Sequence, residues 1–181
     1  MFTDLSTYKN TDYKPGSILK IAFWYFVNRL FLNTVIPYPS GIKVRLLRIF
    51  GAKIGLNCVI KPKVSVKYPW FLEIGDNTWV GEQVWIDNLA LVVIGKNVCI
   101  SQAAMLLSGN HDYKKTSFDL ITKEIHIEDG VWIGAKAVVC CGVICASHSI
   151  LTVGSIANKN LNAYGIYQGN PAVEIRKRTI N

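Results

Sequence analysis

Three tetrads decide the fold: Ile54-Gly55-Leu56-Asn57, Ile74-Gly75-Asp76-Asn77 and Ile94-Gly95-Lys96-Asn97. They are spaced 20 residues apart, and within each unit an aliphatic residue returns at every sixth position. The same spacing resumes after a single interruption. The repeating positions are Ile54, Ile60, Val66, Ile74, Val80, Ile86, Ile94, Ile100 and Leu106, and then Ile127, Ile133, Val139, Cys145, Leu151 and Ala157.

A period of six fits neither an α-helix, with 3.6 residues per turn, nor an isolated strand, with a period of two. It predicts a coil with three flat sides, in which each hexad supplies one short strand and one turn. The aliphatic residue points inward and stacks on its equivalent in the next coil. Three hexads make 18 residues, so the 20-residue units predict a small bulge at one corner. We therefore predict an all-β protein, a parallel β-helix; an ordinary sandwich with accidental spacing is the alternative.

The register breaks once, between Leu106 and Ile127. Residues 108–124 are polar and lack the repeat, which predicts a loop that protrudes from the wall of the coil. His111 lies at the root of this loop, and imidazole suits a general base that works near neutral pH. A solvated loop histidine is the alternative interpretation.

The first 50 residues lack the hexad pattern. Residues 1–17 are polar and do not resemble a secretory signal. The segment from Ile18 to Ile36 is apolar but is interrupted by Lys20 and Arg29, which predicts a packed or amphipathic helix rather than a membrane span. Its aromatic residues and nearby basic residues favour peripheral contact with a membrane surface.

Composition narrows the class of protein. Of 181 residues, 50% are hydrophobic and 18% are charged, which excludes a wholly disordered chain. The net charge of +8 favours a polyanionic partner: nucleic acid, an anionic membrane or a phosphorylated small molecule. Nucleic acid is disfavoured because the aromatic residues follow the hexads rather than a basic stripe. Five cysteines without a CxxC pair predict free thiols in a reducing compartment, the cytoplasm.

Residues 54–177 resemble the hexapeptide-repeat acyltransferases, and specifically the colanic-acid-type exopolysaccharide O-acetyltransferases and the galactoside and maltose acetyltransferases. The segments that carry the resemblance are Trp85-Ile86-Asp87-Asn88, Asn110-His111-Asp112-Tyr113, Leu120-Ile121-Thr122-Lys123, Ile127-Glu128-Asp129-Gly130-Val131-Trp132-Ile133-Gly134-Ala135 and Gly169-Asn170-Pro171-Ala172. The resemblance implies a left-handed coil, although β-crossovers in general are right-handed. It also implies a homotrimer with active sites between subunits.

The implied activity is transfer of acetyl from acetyl-CoA to a hydroxyl of a sugar or polysaccharide precursor, without a metal. His111 becomes the catalytic base, and Asp87 or Asn88 the acceptor-binding residue. Asp112 and Tyr113 join them at the acceptor, or instead orient His111 or shape the loop. The implied acetyl-CoA-binding residues are Trp132, Ala135, Val153, Asn158, Lys159 and Arg176. The extension also looks like that of the exopolysaccharide subfamily, which favours a lipid-linked acceptor at the inner face of the cytoplasmic membrane.

The expected organisation is an amino-terminal, partly helical extension (1–50), a β-helix catalytic domain (51–168) with its loop (108–124), and a basic tail (169–181). The tail either meets CoA phosphates or frays. Cys140-Cys141-Gly142-Val143 departs from the Gly-Pro-Gly-Val usual in the family and predicts irregular coils there, and Asn158 stands where Thr is common.

Two rival functions stay open. A γ-class carbonic anhydrase shares the expected fold but needs three zinc-binding histidines. Besides His111 the chain has only His126, expected to point outward from a strand, and His148, expected at a corner. The second rival is a non-catalytic β-helix scaffold or binding module, which the extension supports mildly.

Overall fold

Three sheets, parallel except for one antiparallel pair at the carboxyl-terminal end, form the body of the protein in the computed structural model, which describes residues 2–181. Face I contains β1 (Lys53–Ile54), β4 (Leu72–Ile74), β7 (Val92–Ile94), β12 (Ile125–Ile127) and β15 (Ile144–Cys145). Face II contains β2 (Val59–Ile60), β5 (Trp79–Val80), β8 (Cys99–Ile100), β13 (Trp132–Ile133), β16 (Ile150–Leu151), β18 (Gly165–Gly169) and β19 (Ala172–Lys177). Face III contains β3 (Ser65–Val66), β6 (Trp85–Asp87), β9 (Met105–Leu107), β14 (Val138–Val139) and β17 (Ile156–Ala157).

The hexad residues form the core, as the period of six predicts. Each two-residue strand turns its second residue inward, and the inward residue pairs in register with its equivalent one coil away. Every repeating position from Ile54 to Ala157 is buried. The three tetrad asparagines, Asn57, Asn77 and Asn97, have φ of 54°, 56° and 55°. Asparagine tolerates this left-handed conformation better than most residues, which explains its place at the corner.

The two extra residues of the first coil lie at the corner between faces III and I. A 3-10 turn, Pro69–Phe71, occupies that corner. The coil around Cys140-Cys141, in contrast, is not irregular, so that prediction was wrong. Strands β14 and β15 keep their register with neighbouring coils, and Cys145 takes an inward position with no exposed surface. A cysteine packs there as a small apolar residue, and burial raises the pKa of its thiol to about 12.

The amino-terminal extension forms α1 (Ile18–Val27), a π-helical turn (Asn28–Leu32) and α2 (Ser40–Ile49). A 3-10 turn, Leu5–Thr7, precedes them. None of the helices in residues 2–181 is both long enough and apolar enough to cross a bilayer.

Side chains of this extension close the exposed strand edge of the first coil, one face at a time. On face I, Arg48 donates from Nη2 to the Ile54 and Gly55 carbonyls at 2.7 and 2.9 Å. On face II, Lys43 Nζ donates to the Ile60 carbonyl at 3.1 Å, and burial lowers the pKa of this lysine. On face III, Trp24 Nε1 donates to the Val66 carbonyl at 2.8 Å. Carbonyls that would otherwise lack a partner at an open sheet edge are thereby satisfied.

The opposite end of the coil is closed on face II by an antiparallel pair. Strand β19 folds back on β18, and Arg178 beyond it donates from Nη1 to the Gly130 and His148 carbonyls at 2.9 and 3.2 Å. The residues after Gly169 are therefore held against the body of the protein through Arg178.

Candidate active site

The break in the repeat forms a hairpin at the corner between faces III and I. Strands β10 (Gly109–His111) and β11 (Leu120–Thr122) pair antiparallel, with His111 opposite Leu120. At the root, the Ser108 hydroxyl donates to the Asp87 carbonyl at 3.1 Å. The segment expected to be a protruding loop is thus a two-stranded arm anchored to the coil.

His111 is held by two contacts with a single residue. Its Nδ1 lies 2.8 Å from the Phe118 carbonyl oxygen, and its ring stacks on the Phe118 ring with 4.4 Å between centroids and 7° between planes. A carbonyl only accepts hydrogen bonds, so Nδ1 must carry the proton in this contact. The neutral imidazole then has its lone pair on Nε2, the atom that a general base uses.

Phe118 adopts an unusual backbone conformation to make both contacts. Its φ is +52°, in the left-handed region that bulky residues rarely occupy. Backbone strain of this kind is often found at functional sites. Sequence reasoning did not identify Phe118; the available signal was a phenylalanine in a mostly polar segment.

The amino-terminal segment runs along the same corner, which the sequence did not indicate either. The Asp4 backbone N–H donates to the Thr116 carbonyl at 2.9 Å. The ring centroids of Tyr8 and His111 are 6.1 Å apart. Tyr13 donates to the Leu89 carbonyl at 2.7 Å, and burial, reinforced by Tyr68 and Asp87, raises the pKa of its hydroxyl.

A polar cavity of about 610 Å³ separates this segment from the arm. Lys9, Tyr13, Asp112 and Thr122 are among the residues that line it. Asp112 also accepts the Lys114 N–H at 3.1 Å within the turn of the arm. Tyr113 lies at the tip and is largely exposed.

Asp87 and Asn88 have different environments. Asn88 has no exposed surface; its amide donates to the Tyr68 and Phe71 carbonyls and accepts from the Tyr68 N–H. Asn88 therefore braces the 3-10 turn and is not available to an acceptor, which corrects that alternative. Asp87 Oδ1 lies 2.9 Å from Lys67 Nζ, but is buried without a hydrogen bond of good geometry from any described residue.

Asp87 borders a second cavity of about 260 Å³ between α1 and face III. Trp24, Tyr25 and Trp85 contribute to its walls. A buried carboxylate oxygen that is paired with a lysine but receives no hydrogen bond of good geometry, beside a cavity with aromatic walls, is suited to accept a hydrogen bond from a ligand hydroxyl.

The residues assigned to acetyl-CoA lie mainly elsewhere on the same chain. Trp132 is on face II, 46% exposed, with its indole N–H donating to Ser101 Oγ at 2.9 Å. Ala135 and Val153 occupy successive turns between faces II and III, where the Gly154 N–H donates to the Ala135 carbonyl at 2.9 Å. Face III therefore separates these turns from His111.

Three further residues of that set are exposed. Asn158 and Lys159 follow β17, at the corner from which the arm emerges two coils away. Arg176 lies on β19, opposite Ile166. One chain thus brings Asp87, His111, Asn158 and Lys159 to one corner, and leaves Trp132, Ala135, Val153 and Arg176 on or beside face II.

The other two histidines lie outside the arm. His126 lies on face I with its Nε2 3.0 Å from Glu124 Oε2. His148 has φ of +60° at a corner and packs against Tyr164, with 4.9 Å between ring centroids. Both positions match the expectation for these residues. Residues 2–181 contain no group of three or more His, Cys, Asp or Glu side chains arranged to hold a metal ion.

The chain resembles known proteins along most of its length. No family model matches the chain. The chain is 35% identical over 170 residues to a protein of Escherichia coli K12 named as the colanic acid biosynthesis acetyltransferase WcaF, covering 92% of this chain and 91% of that protein. It is 29% identical to the galactoside O-acetyltransferase of the same organism, covering 77% and 71%.

Solved structures agree in fold. The hexapeptide-repeat containing acetyltransferase of Vibrio cholerae is 25% identical, with a TM-score of 0.78 over 90% of this chain and 94% of that one. A galactoside acetyltransferase in complex with coenzyme A is 24% identical, with a TM-score of 0.80 over 92% and 84%, a likeness that shows the fold alone. The three-sided solenoid thus matches the left-handed β-helix of these proteins. The chain belongs to the hexapeptide-repeat acetyltransferases.

Proposed function

We propose that the protein transfers acetyl from acetyl-CoA to a hydroxyl of a saccharide precursor, with His111 as the general base. One observation supports this most directly: the contact of His111 Nδ1 with the Phe118 carbonyl, which leaves Nε2 free to take a proton. The relatives support the reaction class, since one is named as a colanic acid biosynthesis acetyltransferase and another as a galactoside O-acetyltransferase.

The proposed reaction requires neither a redox step nor a metal. Nε2 removes the proton from the acceptor hydroxyl as its oxygen attacks the thioester carbonyl. The tetrahedral intermediate collapses, the C–S bond breaks, and the imidazolium returns the proton to the CoA thiolate. General-base assistance of this kind contributes about 10²–10⁴-fold. Backbone N–H groups at a coil corner are the simplest donors to the oxyanion.

A homotrimer would unite the two halves of the site. His111 and Asp87 lie on one side of face III, whereas Trp132, Ala135 and Val153 lie on the other. The outward positions of faces II and III are mostly apolar: Val59, Trp79, Cys99, Trp132 and Ile150 on face II, and Trp85, Met105, Val138 and Ile156 on face III. Face I instead carries the Lys53–Glu73 ion pair. Apolar outward faces favour burial against other subunits.

In such a trimer, acetyl-CoA would lie in the groove between two coils. Trp132, Ala135 and Val153 would contact the pantetheine arm, and Asn158, Lys159 and Arg176 would approach its polar end. Lys and Arg provide the charge that phosphate groups require. Residues 51–168 would form the catalytic unit, with the strand pair at its end adding Arg176.

The acceptor would lie between the arm and α1. Asp87 would accept a hydrogen bond from a sugar hydroxyl, and the aromatic wall of its cavity would pack on the sugar ring. Asp112 and Tyr113 would contact more distant parts of the acceptor. We further propose that the acceptor is lipid-linked and that the protein works at the inner face of the cytoplasmic membrane.

An acceptor screen with labelled acetyl-CoA tests the proposal. The protein should acetylate one class of saccharide, and His111→Ala should lose about 10²–10⁴-fold in turnover while it retains CoA binding and assembly. Near-normal turnover by His111→Ala would remove this residue from the mechanism. Failure with free, nucleotide-linked and lipid-linked saccharides alike would favour a scaffold.

A further inference from the structure

The helical extension exposes a row of large apolar side chains. Leu19, Phe23, Phe26 and Leu30, spaced to lie on one side of α1 and its π-helical continuation, are 83%, 63%, 61% and 45% exposed. The opposite side of the same helix is buried, since Trp24 and its neighbours pack on the first coil. Most protein surfaces expose apolar residues singly, whereas these four form a contiguous apolar row.

The apolar row belongs to a long stretch of sequence that is basic and contains no acidic residue. From Tyr13 to Leu72 the sequence contains no Asp or Glu. The basic residues in that range are Lys14, Lys20, Arg29, Lys43, Arg45, Arg48, Lys53, Lys61, Lys63 and Lys67. Of these only Lys43 is buried, and Lys14, Arg45, Lys61 and Lys63 form no ion pair with any of residues 2–181.

The fold gathers these residues at one end of the coil. α1 is joined to the first coil through Trp24 and the Val66 carbonyl, and α2 through Arg48 and the Ile54 carbonyl. Lys61 and Lys63 lie in a turn of that same first coil. The exposed apolar and basic residues therefore belong to one terminal surface at the amino-terminal end of the coil.

We propose that this terminal surface docks on an anionic phospholipid bilayer. The apolar row enters the headgroup region with the helix in the plane of the membrane, and the basic residues contact lipid phosphates. The charge pattern favours lipid over a second copy of the chain, because two such surfaces placed face to face would repel each other. It favours lipid over nucleic acid because phenylalanine and leucine at helical spacing match acyl chains rather than phosphates.

The arrangement gains strength if the trimer proposed above holds. If the three-fold axis is parallel to the long axis of each coil, the amino-terminal ends of all three subunits face the same direction. Three apolar rows then contact one membrane. Linked sites of this kind bind far more tightly than one alone. Docking would bring a lipid-linked saccharide to the cavity beside Asp87. This cavity lies between α1 and face III.

Vesicle co-sedimentation of the full-length protein tests the docking. Vesicles of phosphatidylglycerol and phosphatidylcholine should bind it, pure phosphatidylcholine should bind it at least tenfold more weakly, and 0.5 M NaCl should weaken binding to the anionic vesicles. Phe23→Ser with Phe26→Ser should reduce binding at least tenfold, and Lys61→Glu with Lys63→Glu should do so about as strongly. A matched control is Val173→Ser with Ile175→Ser, two exposed apolar residues on β19, which should bind as the unmodified protein does.

Light scattering and turnover of a water-soluble acceptor complete the test. The Phe23/Phe26 variant should keep its oligomeric state and its turnover. Equal binding to both kinds of vesicle, no binding to either, or a changed oligomeric state in that variant would overturn the docking. Failure of acetyl transfer with intact vesicle binding would instead overturn the proposed function and leave the docking in place.

Discussion

Phe118 offers the sharpest test of the proposed role of His111 as general base. Glycine adopts a φ of +52° without strain, so Phe118→Gly removes the stacked ring and keeps the carbonyl that holds Nδ1. A stacked aromatic pair is worth about 0.5–1.5 kcal/mol, so kcat should fall by about 2- to 12-fold if the ring serves only to orient the imidazole.

Phe118→Val should be worse, although valine is larger than glycine. A β-branched residue at positive φ is disfavoured, by about 1–3 kcal/mol, and the arm would relieve this strain by turning the 118 peptide. The carbonyl would then leave Nδ1, and the loss of kcat should approach the ~10²–10⁴-fold expected for loss of the base itself. Phe118→Tyr, which keeps the ring, serves as the control and should remain near the unmodified rate.

The assay is release of the CoA thiol at saturating acetyl-CoA and acceptor, with CoA affinity measured separately to show that each variant is folded. The expected order of rates is Tyr, then Gly, then Val. If valine at position 118 proved as active as glycine, or if both retained full activity, the role of the Phe118 carbonyl in fixing the tautomer would be refuted.

Three further outcomes are expected. Trp24→Phe should lower the free energy of unfolding, measured in urea, by about 1–3 kcal/mol, because the buried Val66 carbonyl loses its donor. An unchanged midpoint of urea denaturation would contradict the role of Trp24 at the edge of the first coil. The Cys145 thiol has a pKa of about 12 in the folded protein against 9.0 ordinarily, so the unfolded chain releases its proton first and stability falls as pH rises. Between pH 9 and 11 the free energy of unfolding should therefore fall by about 1 kcal/mol per pH unit because of Cys145. In alkaline denaturation, Cys145→Val should lack this contribution to the pH dependence. Arg178→Ala should lower the melting temperature by a few degrees, whereas Arg176→Ala should raise the KM for acetyl-CoA with little change in melting temperature, and the reverse pattern would exchange their roles.

The hexad period was sufficient to predict the coil, because a three-sided stack requires an apolar inward residue at every sixth position and little else. The comparison with the family's usual sequence, in contrast, failed at Cys140-Cys141, where the departure from that sequence predicted irregular coils. Inward positions require only a small apolar side chain, and Cys145 provides one. The period is insensitive to residues that face outward.

The candidate site was only partly predictable for a different reason. The break in register predicted a protruding segment with His111 at its root, because both follow from local spacing, whereas the role proposed for His111 came from the family resemblance. The contacts that complete the site join residues far apart in sequence, such as Tyr8 with His111 and Tyr13 with Leu89. Phe118 depends on a backbone conformation that no spacing reveals, and the brace formed by Asn88 depends on two carbonyls of the preceding coil.

The three side chains that close the first coil also determine where one molecule stops. A bare terminal coil would display the same strand edges that every coil offers to the next, and another molecule could add to it end to end, as subunits do in a growing fibre. Arg48, Lys43 and Trp24 occupy those edges with donors that cannot propagate a strand. The protein therefore remains a particle of defined length although it is built from a pattern that has no natural limit.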